Sequence, residues 1–258
     1  MPLNYQLLKQ IDSKKKKLDG FRPLSSEQVE NLKRFFDVDF TYNSTVIEGN
    51  TLSLRETRVV LLDGITIGGK TVHEHLEVIN HKEAIDYIEQ LAHKNIDEYT
   101  RQDILNIHSI VLKNIDNENA GKYRRIPVYV RLKNGTIHRY CEPLKIIDEM
   151  DNFFTWLLQG PSEHAVLFAA EAHVKLVTIH PFTDGNGRTA RLLMNLILLY
   201  YGFPPAIIKA KDRIAYLDAI EAWQQQNDKD LFQNILLEAI NESLGIYLET
   251  LEKNIIWE

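Results

Sequence analysis

Twelve consecutive residues constrain this chain more than any other feature: His180-Pro181-Phe182-Thr183-Asp184-Gly185-Asn186-Gly187-Arg188-Thr189-Ala190-Arg191, set between two apolar stretches of helical spacing. A glycine-bearing turn that opens a helix aims backbone N–H groups and the positive end of the helix dipole at whatever occupies the loop, which favours an anion. Arg188 and Arg191, three residues apart, lie on neighbouring faces of the first helical turn, so both guanidinium groups reach one polyphosphate. Asp184 offers a carboxylate suited to a hard cation such as Mg²⁺, and His180 a base that titrates near neutrality. The segment therefore predicts a phosphate-transfer site held between two helices.

The rest of the chain reads as mostly helical. Ser25 with Gln28 forms a capping-box pattern, followed by an apolar face at Val29, Leu32, Phe35 and Phe36. A turn is expected near Asp37 to Asp39, then a short element from Phe40 to Ile47 that stops at Glu48-Gly49-Asn50. Helical spacing recurs over Ser53 to Asp63, through Leu76, Ile79, Ala84, Ile85 and Ile88, and after a Thr100 cap at Ile104, Ile107, His108 and Val111. Five further helical stretches are expected over 144–158, 163–178, 186–201, 213–223 and from 230 onward. The exception is 126–140, where two alternating runs flank Asn134-Gly135, a strong hairpin signal.

Composition narrows the partners. Of 258 residues, 30 are Lys or Arg and 36 Asp or Glu, so the net charge of −6 gives no general attraction to nucleic acid or anionic lipid. The basic run Lys14 to Lys17 reads as a solvated helix face. Cys141 is the single cysteine, which excludes an intramolecular disulfide and a thiolate-rich zinc site and fits a reducing cytoplasm. The first 18 residues lack a signal-peptide core and Leu192 to Tyr201 is too short to span a bilayer, so a soluble, cytoplasmic protein is expected. His73, His75, His81, His108 and His173 read as structural or exposed residues.

At every specified position the twelve-residue segment matches the Fic signature, His-Pro-Phe-x-(Asp or Glu)-Gly-Asn-Gly-Arg-x-x-Arg. Glu77-Val78-Ile79-Asn80-His81, Gly121-Lys122-Tyr123-Arg124 and Tyr201-Gly202-Phe203-Pro204-Pro205 also resemble segments of that family, in the expected order. The resemblance implies an all-α Fic fold with a β-hairpin flap: an N-terminal helical region over 1–98, a core over 99–238 and a C-terminal helical extension over 239–258. It implies a protein adenylyltransferase in which His180 deprotonates a Ser, Thr or Tyr hydroxyl of a target protein, and that oxygen attacks the α-phosphate of ATP. Asp184 would hold Mg²⁺, Gly185 and Gly187 would supply backbone donors, Asn186 would orient the α-phosphate, and Arg188 and Arg191 would clamp the outer phosphates. Asn195, one turn beyond Arg191, is expected to reach the nucleotide, and Phe182 to anchor the loop. The flap, through Ile126, Val128, Tyr129 and Ile137, would hold the target by strand pairing.

Ser44-Thr45-Val46-Ile47-Glu48-Gly49 resembles the family's inhibitory motif, (Ser or Thr)-x-x-x-Glu-(Gly or Asn). By that resemblance Glu48 pairs with Arg191 and holds activity low, because a guanidinium gripped by a carboxylate cannot also grip a phosphate. Autoadenylylation and pairing into a homodimer are implied as well. Two other readings stay open: Glu48-dependent removal of AMP, and a nucleotide- or peptide-binding module without turnover.

Overall fold

The structure, a computed structural model, describes residues 2–95, 98–133 and 135–257. Its elements are α1 (Tyr5–Asp19), α2 (Ser26–Ile47), α3 (Leu54–Arg58), α4 (Val72–Leu91), α5 (Arg101–Val111), β1 (Tyr129–Arg131), β2 (Ile137–Arg139), α6 (Ile146–Leu158), α7 (Ala165–Ile179), α8 (Asn186–Tyr200), α9 (Arg213–Gln226) and α10 (Asp230–Lys253). The architecture is the all-α one expected, with the hairpin as the described β structure.

Helix α8 is the axis of the bundle. It is buried on nearly every face, apolar from Leu192 onward except for Asn195, and it packs against α7, α4, α5 and α2. One continuous core runs from Ile11 on α1 to Leu251 on α10, so burial of apolar surface ties both ends of the chain to the same body. The expected division after residue 238 falls inside α10, which continues unbroken to Lys253 and buries Leu244, Leu248 and Leu251. Helix α1 lies along α10, burying Ile11 and Leu18, with Lys16 and Lys17 turned to solvent.

Helix α2 starts at the expected capping box, with Ser25 Oγ accepting from Gln28 N and Gln28 Oε1 accepting from Ser25 N. It differs from the sequence expectation in two ways. There is no turn at Asp37 to Asp39: the helix runs through to Ile47 because Asp37, 5% exposed, lies 3.1 Å from Lys33 and 3.2 Å from Lys82, while Asp39 lies 2.7 Å from Lys209. Acids with cationic partners, Asp37 buried and Asp39 half-buried, stand where the sequence suggests a polar break. Val29, placed on the apolar face, is instead half exposed, and the buried stripe is Leu32, Phe36, Phe40 and Ile47.

The hairpin pairs Tyr129 with Arg139, Val130 with His138 and Arg131 with Ile137 in antiparallel register. Asn134 lies outside the described residues; its partner in the expected turn, Gly135, has φ +84°, the left-handed conformation such a turn requires. Among the described residues no helix is long and apolar enough to cross a membrane.

Candidate active site

The motif loop is built by one histidine in an unusual backbone state and by a set of side chains that hold it there. His180 ends α7 in the left-handed region (φ 52°, ψ 58°), its N–H still donating to Leu176 O at 2.9 Å. Glycine commonly takes this capping position; a side chain there costs about 1–2 kcal/mol. Arg124, 3% exposed, offsets that cost: Nε donates to His180 O at 2.7 Å, its backbone N to Pro181 O at 2.9 Å, and its Nη atoms to Ile126 O and Cys141 O. One guanidinium thus fastens the base of the flap to the motif loop.

Phe182 is fully buried and stacked on His108, with ring centroids 3.7 Å apart and 7° between planes, so its expected role as an anchor matches its place. His108 Nε2 donates to Asp184 O and Nδ1 accepts from Gly121 N, both at 3.0 Å, which fixes the neutral tautomer; burial pushes its pKa down to about 4. Gly185 approaches so closely that a Cβ would meet the His108 ring at 3.3 Å, and its φ of +75° excludes most side chains. Asn186 closes the loop with its amide: Oδ1 accepts from Phe182 N at 3.0 Å and one Nδ2 hydrogen is donated to Phe182 O at 2.8 Å. No side chain caps α8 among the described residues, which leaves its first backbone N–H groups as open donors for an anion.

The His180 ring is half-buried and lies face to face with Tyr140, centroids 3.8 Å apart and planes at 14°. Its Nδ1 is 3.3 Å from Val177 O. A carbonyl can only accept, so Nδ1 carries the proton and Nε2 keeps its lone pair. Burial pushes the ring's pKa down to about 4, against the Val177 bond and the carboxylates of Glu48 and Asp184; at neutral pH it is an uncharged acceptor.

Both motif arginines are buried, and each is matched by a carboxylate from a distant element. Arg191, 1% exposed, donates from Nε to Ser44 Oγ (3.0 Å), from Nη2 to Ser44 O (2.8 Å) and Glu48 Oε1 (2.7 Å), and from Nη1 to Tyr216 OH (3.1 Å). Tyr216 OH in turn lies 2.9 Å from His173 Nε2. Arg188 donates to Glu77 Oε1 at 2.9 Å and to Asp184 Oδ2 at 3.1 Å, and Glu77 Oε2 accepts from Asn50 at 2.8 Å. Glu48 is the acceptor of Arg191 that solvent reaches, with its side chain 34% exposed. It also fills the space over Gly187, where a Cβ would collide with Glu48 Oε1 and come within 3.1 Å of Arg191 Nη1.

Asn195 departs from the sequence expectation. It is completely buried, donating to Arg191 O and Ala206 O and accepting from Ala206 N at 2.7 Å, so it joins α8 to the segment after Pro204-Pro205 and cannot reach a nucleotide. In the flap, Ile126, Tyr129 and Ile137 are exposed and Val128 is half-buried. Tyr140, Arg124, Glu77 and Tyr216 carry roles that sequence reasoning did not assign; Glu77 and Arg124 stand in family-like segments, but only their partners reveal what they do.

Among the described residues no group of three or more His, Cys, Asp or Glu could hold a metal ion by itself. The Asp184 carboxylate is 65% exposed and binds Arg188 through one oxygen. That donor fits Mg²⁺ held largely by phosphate oxygens and water, the usual way this cation binds.

An open helix N-terminus, two buried guanidinium groups and a neutral imidazole acceptor together form, on a helical bundle, an arrangement whose chemistry suits a polyphosphate. The chain belongs to the Fic/DOC family, whose model matches residues 98–198. It is 36% identical over 250 residues to protein adenylyltransferase Fic of Nematostella vectensis, covering 95% of this chain and 56% of that one. To protein adenylyltransferase fic-1 of Caenorhabditis elegans it is 44% identical over 179 residues, 69% of this chain and 34% of that one. The chain spans about half the length of the curated relatives it matches over nearly its whole extent. Among solved structures, a Fic domain containing signaling protein from Bacteroides thetaiotaomicron superposes with TM-score 0.88 at 29% identity, covering 98% of this chain and 99% of that one. Fic-1 (aa134 - 508) from C. elegans superposes with TM-score 0.85 at 32% identity, covering 97% and 73%.

Proposed function

We propose that the chain transfers AMP from ATP to a Ser, Thr or Tyr hydroxyl of a protein, and that Glu48 restrains the transfer. The observation that carries this reading is the His180 ring, neutral at pH 7 with Nε2 free to accept a proton, beside a loop whose donors suit a triphosphate. Nε2 takes the hydroxyl proton as the oxygen bonds to the α-phosphorus; the bond to the bridging oxygen breaks, and diphosphate leaves with the electron pair. The protein's work is positioning and charge stabilisation. Backbone N–H groups at the start of α8 receive phosphate oxygens, Arg188 and Arg191 offset the charge, and Asp184 would hold Mg²⁺, which would neutralise charge on the outer phosphates.

In the closed arrangement Glu48 occupies an Nη2 donor of Arg191 that a phosphate needs, while three of the remaining four donors of that guanidinium are held by Ser44 and Tyr216. Activation therefore requires Glu48 to swing away, with Arg191 already in place. A second reading has support from Glu48 itself: Oε1 pairs with Arg191, and Oε2 has no hydrogen bond to the protein among the described residues, so it can orient a water for removal of AMP from a modified target.

The test is labelling with ATP tagged at the α- or the γ-phosphate. Protein-bound label from the α-tag alone, greater with Glu48→Gly and absent with His180→Ala, supports transfer of AMP; retention of the γ-tag refutes it. AMP release from a pre-modified target that requires Glu48 supports the second reading.

A further inference from the structure

The face of the hairpin turned away from His180 is basic, and the strand geometry fixes which residues of a bound segment meet it. Side chains alternate across a strand. Tyr140, whose backbone N donates to Val128 O, lies against His180, and His138, on the same face, meets Gln225 of α9 through Nδ1 at 3.0 Å. The inward face is therefore Val128, Val130, His138 and Tyr140. The outward face is Tyr129, Arg131, Ile137 and Arg139, all exposed. Arg139 lies over the Tyr129 ring at 5.6 Å, which holds its guanidinium on that face. Neither Arg131 nor Arg139 has an ion-pair partner among the described residues, whereas Lys133, nearer the turn, is spent on Asp218 with Glu221 close by. From Lys122 to Cys141 the sequence holds six Lys or Arg and no Asp or Glu, in a chain of net charge −6.

A segment that adds to either open edge places a hydroxyl aimed at His180 on the inward face. The residues at odd spacings from it then fall on the outward face, beside Tyr129 and Arg131 on the β1 edge or Ile137 and Arg139 on the β2 edge, within the reach of cross-strand neighbours. We propose that the hairpin selects acidic protein segments, with Asp or Glu at odd spacings on either side of the modified hydroxyl. This rests on the reading of the flap as the edge that binds the target, and it names the chemistry of that target. Charge complementarity here acts through Arg131 and Arg139, one for each edge, so the preference holds whichever edge is used.

The test measures binding directly, by fluorescence anisotropy of labelled peptides on the full chain. Three peptides carry a central Ser with Glu at odd spacings, with Glu at even spacings, or with Lys at odd spacings. The odd-Glu peptide should bind about fivefold more tightly than the even-Glu one, and the advantage should vanish at about 0.5 M salt, where screening shortens to about 4 Å. An Arg131→Glu/Arg139→Glu variant, with thermal midpoint unchanged because both residues are exposed, should reverse the preference toward the Lys peptide. Equal binding of the three peptides, binding of none, or binding of a single-stranded DNA in their place would overturn the proposal. AMP incorporation is read separately: transfer without peptide preference sinks this inference alone, and preference without transfer sinks the transferase reading alone.

Discussion

The imidazole of His180 lies flat against the phenol of Tyr140, 3.8 Å from centroid to centroid, so the flap covers the base that the motif loop presents. That cover contributes to the burial that pushes the histidine's pKa down to about 4. Below that value the ring is protonated and cannot take a proton; above it the ring is competent. In a Glu48→Gly background, which removes a carboxylate that holds the value up, the acid limb of kcat/KM against pH should therefore lie at or below about 4 and move up toward about 6.5 in Tyr140→Ala, as the ring regains water. Tyr140→Phe, which keeps the stack, should leave the profile in place. An unmoved limb in the alanine variant would show that the phenol is only a neighbour.

Removing Glu48 should raise AMP incorporation by about tenfold or more, because the competing carboxylate is worth at least the 1.5–3 kcal/mol of a charge-assisted hydrogen bond. The same change should lower stability only by about 1–2 kcal/mol, since Arg191 keeps Ser44 Oγ, Ser44 O and Tyr216 OH. Initial rates with α-labelled ATP and urea unfolding measure the two quantities. A gain in rate with no Glu48-dependent change in ATP pose would shift the explanation away from Arg191.

Asn195→Ala should lower stability by about 2–4 kcal/mol, as the backbone groups of Arg191 and Ala206 lose their buried partners. Nucleotide affinity of the variant that remains folded should equal that of the parent, read by calorimetry. A selective loss of affinity with stability intact would restore Asn195 to the nucleotide site.

Acid should weaken the fold through its buried histidines. His81, His108, His173 and His180 all have pKa values lowered by burial, to about 4 for His108 and His180. Between about 4 and 6.5 the unfolded chain takes up protons that the folded one refuses, so stability rises with pH across that window and falls as pH drops through it. For His108 alone the loss from neutral pH to pH 5 is about 2 kcal/mol. Urea unfolding at the two pH values, for the parent and for His108→Gln, should show a smaller pH dependence in the variant. Identical dependences would mean that His108 does not titrate in this way.

The chemistry was legible because it is concentrated in consecutive residues, and the helix starts because Ser25 with Gln28 and Thr100 with Asp103 satisfy backbone donors within one turn. What escaped is non-local. Asp37 looks like a turn residue until Lys82, on another helix, is found beside it. Glu77 and Arg188 are 111 positions apart, and no local pattern announces that pair. Asn195 misled because an amide on the motif helix suits a ligand and a backbone clamp equally, and only the approach of Ala206 decides between them. The stack of Tyr140 on His180 depends on how a hairpin folds back, which alternation in its strands does not disclose.

The missing side chain at position 187 makes the latch possible. Even a methyl group there would displace the carboxylate tip of Glu48, so the chain can keep its latch or gain an atom at that position, but not both. A glycine that looks dedicated to the phosphate loop is thereby also the keyhole for Glu48 at the end of α2, and a substitution inside the motif would dislodge that carboxylate without touching Glu48 itself.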